Sequence, residues 1–153
     1  MAGWKQEVNQ FSCVITESFS LTGKPADPTV VIDGVNSTQV ELVWNFTAAP
    51  SLNFFLCIRR RRPTESQSSQ VASRNRNSGV SSNFTVSDSD YEANFPATLV
   101  IKNVTRNSDE FVYSIAVLAL DGSGELSDGV TVNVLCKYEQ ILVCSFMHNG
   151  FCM

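Results

Sequence analysis

The sequence is poor in the groups that most chemistry requires. It holds a single histidine, His148, and no GxSxG, HExxH or Cys/His arrangement around it. No glycine-rich cradle follows a strand and opens a helix, so a nucleotide-phosphate site is not indicated. Lysine and arginine number 11 against 15 aspartates and glutamates, a net charge of −4, which is the wrong balance for a nucleic-acid binder. The longest apolar run, IAVLAL at 115–120, is far short of the roughly 18 to 20 residues a membrane-spanning helix needs. Polar residues interrupt residues 1–24 throughout, so no export signal is read there. Apolar spacing at the helical period is missing as well. These absences predict a non-enzymatic chain with no cofactor, no metal and no helical membrane span.

Cysteines are few and odd in number. Cys13, Cys57, Cys136, Cys144 and Cys152 leave at least one thiol unpaired within a monomer. The last three are each eight residues apart, unlike the close CxxC pairs of zinc sites, so free or incidentally paired thiols are expected.

What the chain does have is alternation. TVVIDGV at 29–35, QVELVWNF at 39–46, NFFLCI at 53–58, ATLVIKNV at 97–104, FVYSIAVLAL at 111–120 and GVTVNVL at 129–135 follow the two-residue strand period. Turn chemistry separates them: Asp33-Gly34, Ala49-Pro50, Asn77-Ser78-Gly79, and Asp121-Gly122-Ser123-Gly124 between two strong strands. A hydrophobic fraction of 43% supplies one core, and the strand count is that of an all-β, two-sheet antiparallel sandwich. Residues 63–90, rich in Ser, Asn and Gln, read as short edge strands and long loops. The expected division is an irregular segment 1–26, a sandwich domain 27–136 and an irregular tail 137–153. Ends so unlike the middle suggest a piece of a longer, multidomain protein.

LVIKNVTRNSDEFVYSIAV, from Leu99, resembles the strand E to strand F passage of immunoglobulin-like domains, LxIxxV followed by DxxxYxC. Leu99, Ile101, Val104, Asp109 and Tyr113 match; Ile115 stands where the cysteine would be, and the Ile101–Asp109 spacing is one residue longer than usual. Upstream, Val40, Leu42 and Trp44 match the inward positions of strand B, with Trp44 in the place of the other cysteine. Cys57 falls near the strand C tryptophan. The resemblance implies an immunoglobulin-like sandwich without its inter-sheet disulfide, with Tyr113 as the tyrosine-corner residue. Losing that bridge costs about 2 to 5 kcal/mol, and burying Trp44 and Ile115 recovers about 1.5 to 3 kcal/mol each. A fibronectin type III domain competes for the same residues, since TQVELVWNFTAAP and YSIAVLA also resemble its strands B and F. The long span from strand C to strand E suits the extra edge strands of a variable-type immunoglobulin domain.

Four N-x-S/T sequons, at Asn36, Asn45, Asn83 and Asn103, fall on outward faces or loops, as in a secreted or cell-surface glycoprotein. Chance alone would supply roughly two. The run Arg59, Arg60, Arg61, Arg62 ends strand C; with Arg74 and Arg76 it would suit an acidic partner, a sialylated glycan or a heparin-like chain, although alternation lets at most two of the four share a face. Asp88, Asp90 and Glu92 lack the glycine turn and full ligand set of a calcium loop and read as a solvated acidic loop. Asp121 and Glu125, in the hairpin, read as solvated carboxylates. Together the resemblance and the sequons imply an extracellular recognition or adhesion domain that binds a protein partner, homophilic or heterophilic, through the sheet face of strands C, F and G. The alternative is a structural spacer in a longer filament-type protein.

Overall fold

The computed structural model describes residues 18–33 and 39–136. Asn36, Gly34, His148, Cys13, Cys144, Cys152 and the whole tail 137–153 lie outside the described residues, so the expectations placed on them stay as sequence readings.

Twelve strands and one 3-10 turn make up the described chain: β1 (Phe19–Gly23), β2 (Thr29–Asp33), β3 (Val40–Val43), β4 (Asn45–Ala48), β5 (Phe54–Arg61), β6 (Ser69–Asn77), β7 (Val80–Ser81), β8 (Thr85–Val86), β9 (Tyr91–Asn94), β10 (Thr98–Ile101), the turn Arg106–Ser108, β11 (Phe111–Ala119) and β12 (Glu125–Cys136). The larger sheet runs β2-β12-β11-β5-β6-β7, with β8 also paired to β6. Facing it, β3 pairs with β10 and β10 with β9, while β4 pairs with β1. β3 and β4 are one strand that changes partner at Trp44, whose N–H donates to the Ala97 carbonyl at 3.1 Å.

Alternation decides which side chains meet. Leu42 and Trp44 on one layer, and Leu56, Ile58, Tyr113, Ile115, Val117, Val130, Val132 and Val134 on the other, are all buried. Edge-to-face contacts among Phe19, Phe46 and Phe54, with centroids 5.8 to 6.4 Å apart, close one end of the core. At the β11–β12 hairpin, Gly122 adopts φ 75°, which a side chain would disfavour, and its N–H donates to the Ala119 carbonyl at 3.1 Å.

Two features go beyond the sequence reading. The sandwich takes in residues ahead of 27, because β1 pairs antiparallel with β4; FSLTG is too short to announce a strand before its partner is known. The segment 63–90 is more ordered than its composition suggests: the nine-residue β6 pairs along β5, and β7 and β8 pair back onto β6. Paired strands beside β5 are what the variable-type reading required, and they set aside the type III one.

Candidate recognition surface

The face of the larger sheet that points away from the core carries the residues of opposite parity on β5, β11 and β12. Register aligns Leu118 with Phe55 and Glu125, and Ala116 with Cys57 and Ser127. Phe55, Cys57, Ala116 and Leu118 line a shallow, mainly apolar depression of about 160 Å³, with Arg59 and Glu125 also on its wall. Arg59 lies four residues along β5 from Phe55, the neighbour of Leu118 and hence of Glu125, so the two backbone positions are offset by roughly 13 Å along the strands. Leu118 is 49% exposed at its centre. Cys57 forms the floor; it is buried and free, its thiol donating to Gln70 Oε1 at 3.4 Å. The inward positions of β5 belong to Leu56 and Ile58, so Cys57 does not occupy the core place expected of the strand C tryptophan.

The arginine run divides as alternation requires. Arg59 and Arg61 are exposed on the outer face. Arg60 turns the other way, its guanidinium carbon 5.6 Å from the Tyr91 ring and 5.1 Å from the Phe111 ring, and it donates to the Tyr91 hydroxyl. Arg62 also lies over Phe111, at 4.9 Å, and donates to the Asn107 carbonyl at 3.0 Å. Arg74 is withdrawn from any surface patch: it is 6% exposed among Phe54, Phe84 and Phe95. Arg76 donates to the Pro50 carbonyl at 2.6 Å. Sequence reasoning missed this aromatic enclosure, since nothing local pairs Arg74 with phenylalanines 10 to 21 residues away.

Asn45, Asn83 and Asn103 are all exposed, on β4, between β7 and β8, and after β10 respectively; none stands on β5, β11 or β12. Asp88 accepts from the Asp90 N–H at 2.9 Å, Glu92 pairs with Lys102 at 3.8 Å, and no metal-ligand cluster occurs among the described residues. Asp121 is held below the ordinary carboxylate value by the Ser123 hydroxyl and then by the Ser123 N–H, and it is fully exposed, as a solvated turn residue is.

No protein-family model and no curated protein matches the chain. Solved structures do. Domain 1 of VCBP3 from Branchiostoma floridae superposes with a TM-score of 0.57 at 15% identity, covering 78% of this chain and 96% of that one. The extracellular domain of the voltage-gated sodium channel beta4 subunit, solved as parallel homodimers and related there to cell-cell adhesion, gives 0.54 at 14%, covering 77% and 99%. The tandem V-type regions of VCBP3, a v-region-containing chitin binding protein, give 0.54 at 16%, covering 75% and 52%. The fold is a variable-type immunoglobulin-like sandwich.

In this immunoglobulin-like sandwich the two vacated cysteine positions are apolar and closed: Trp44 and Ile115 are both 0% exposed. A polar bond crosses between the layers beside them. Trp44 Nε1 donates to Asp128 Oδ2 at 2.9 Å, and Asp128 is the residue paired with Ile115 across β11 and β12. Lys24 Nζ lies 3.9 Å from the other carboxylate oxygen. Tyr113 is buried at the tyrosine-corner position, and its phenol interacts with that of Tyr91 on the opposite layer. Burial first, and Tyr91 second, push the Tyr113 hydroxyl well above its ordinary pKa.

Proposed function

We propose that this chain is an extracellular recognition or adhesion module that binds a protein partner, non-enzymatically, through the outer face of β5, β11 and β12. The observation that carries the reading is the apolar depression of Phe55, Cys57, Ala116 and Leu118 with Arg59 and Glu125 on its wall. An apolar centre with a charged rim is the composition of protein interfaces: the centre excludes water while the charges orient the partner. Asn45, Asn83 and Asn103 support the same reading, because glycans there would leave this face uncovered.

The experiment uses the chain in multivalent form. Beads coated with it are tested for self-aggregation, and fluorescent tetramers of it are tested for staining of cell surfaces. Aggregation or staining that Leu118→Arg abolishes and Glu41→Arg, on the opposite layer, leaves intact is the expected result. Loss with Glu41→Arg alone, or no binding in either assay, would remove the outer face from consideration and favour a spacer role.

A further inference from the structure

We propose that the end of the larger sheet carrying Arg59 to Arg62 is a binding site for a sulfated polysaccharide, separate from the apolar centre of the outer face. Four consecutive arginines occupy this end in a chain with an excess of acids, 15 against 11 bases. Carboxylates are therefore plentiful, yet the two ion pairs among the described residues use Lys24 and Lys102 and neither uses these arginines. Arg59 and Arg61 are exposed and form no ion pair among the described residues. Like charges held side by side raise the energy of the folded chain, and an anion laid across them removes that repulsion.

Half of the site is already ordered. Arg60 and Arg62 are fixed against the Phe111 ring, and their guanidinium groups donate to neutral oxygens, the Tyr91 hydroxyl and the Asn107 carbonyl, while the Arg62 backbone N–H donates to Glu65 Oε2 at 2.9 Å. Stacking holds a guanidinium in place without neutralising it, so less side-chain entropy is lost when an anion arrives. The planar fork suits the oxygens of a sulfate as it suits those of a phosphate. Successive arginines point to opposite sides of β5, which gives two rows at one end of the strand. A flexible, linear polyanion crossing that end meets both rows, whereas a flat charged surface meets one. Register places Ser114 next to Arg59, and Thr131 one strand further on, across Val112 from Arg61, so both hydroxyl residues lie near the path of a sugar chain.

The test passes the full chain over immobilised heparin and, in parallel, over chemically desulfated heparin. Retention on heparin alone, reversed by salt, is expected. Arg59→Ser/Arg61→Ser removes two exposed side chains that form no ion pair among the described residues, so its melting temperature should match the parent while its affinity falls about tenfold. Leu118→Ser should elute with the parent, which separates this site from the apolar centre of the protein-binding face, on whose wall Arg59 stands. An unretained parent, equal retention on the desulfated polymer, or an unchanged double variant overturns the proposal. So does tighter binding to polyglutamate or to phosphatidylserine vesicles, which would make the arginines a peptide or membrane contact instead.

Discussion

Trp44 and Asp128 are joined by a 2.9 Å hydrogen bond from indole to carboxylate, and the bond runs between the two layers of the sandwich. Asp128 sits opposite Ile115 in the β11–β12 ladder, so the link stands at the level where an immunoglobulin domain has its disulfide. An aspartate at an inward strand position is tolerable because its two oxygens are served by Trp44 and Lys24 and its side chain keeps 16% exposure. The tryptophan thus fills the vacated volume and supplies a crosslink.

Trp44→Ala should destabilise the domain by about 3 to 5 kcal/mol, because packed sheets cannot collapse onto the cavity. Trp44→Phe keeps most of the volume and removes the donor, for a loss of about 1.5 to 3 kcal/mol, the range for hydrogen bonds to charged groups. In urea titrations, Trp44→Phe and Asp128→Val should be strongly non-additive. Additive losses would mean that the bond contributes nothing beyond packing.

Alkaline pH should weaken the fold through Tyr113. Its folded-state pKa is raised above the ordinary tyrosine value of 10.0, so above that pH the unfolded chain releases the proton first. The contribution is fully present below pH 10 and declines by about 1.4 kcal/mol per pH unit as pH rises beyond it. Urea midpoints measured from pH 8 to 11 on the parent and on Tyr113→Phe check this: the parent should show the steeper decline. Parallel profiles would assign the alkaline loss to other groups.

Arg74 should be intolerant of lysine. Its fork donates to Ser81 Oγ at 3.0 Å and to the Pro96 carbonyl at 2.9 Å while lying against three phenylalanine rings. Burial, then the neighbouring Arg76, lowers its pKa, the sign of a charge held without a carboxylate. Arg74→Lys brings the charge to the same place without the fork, for an expected loss of about 1 to 3 kcal/mol. Arg74→Met should be less harmful than Arg74→Lys, since it removes the charge together with the need to solvate it. Thermal unfolding of the two variants gives the order directly, and the reverse order would show that the charge itself is stabilising.

Expressed through a secretory pathway, the chain should carry glycans on its exposed sequons. Glycosidase treatment should increase gel mobility, and Asn45→Gln, Asn83→Gln and Asn103→Gln should each remove one step. Unchanged mobility after glycosidase would count against the extracellular placement.

Local alternation was enough to identify the strong strands, the burial of Trp44 and Ile115, and the division of Arg59 to Arg62 between two faces. Each follows from the two-residue period of a strand, which is written in consecutive residues. β6 was harder to read because Arg74 occupies an inward position there, and a shift in register between Ile58 and Arg59 further disturbs its pairing. Only the tertiary structure provided the phenylalanines that make an inward arginine tolerable, the β4 partner that makes β1 a strand, and the aspartate that meets the Trp44 indole from 84 residues away. Those outcomes depend on which strands become neighbours, and neighbourhood in a sandwich is set by pairing between segments far apart in the chain. The outer-face depression belongs with them: Phe55, Ala116 and Leu118 are unremarkable strand residues until three strands align them.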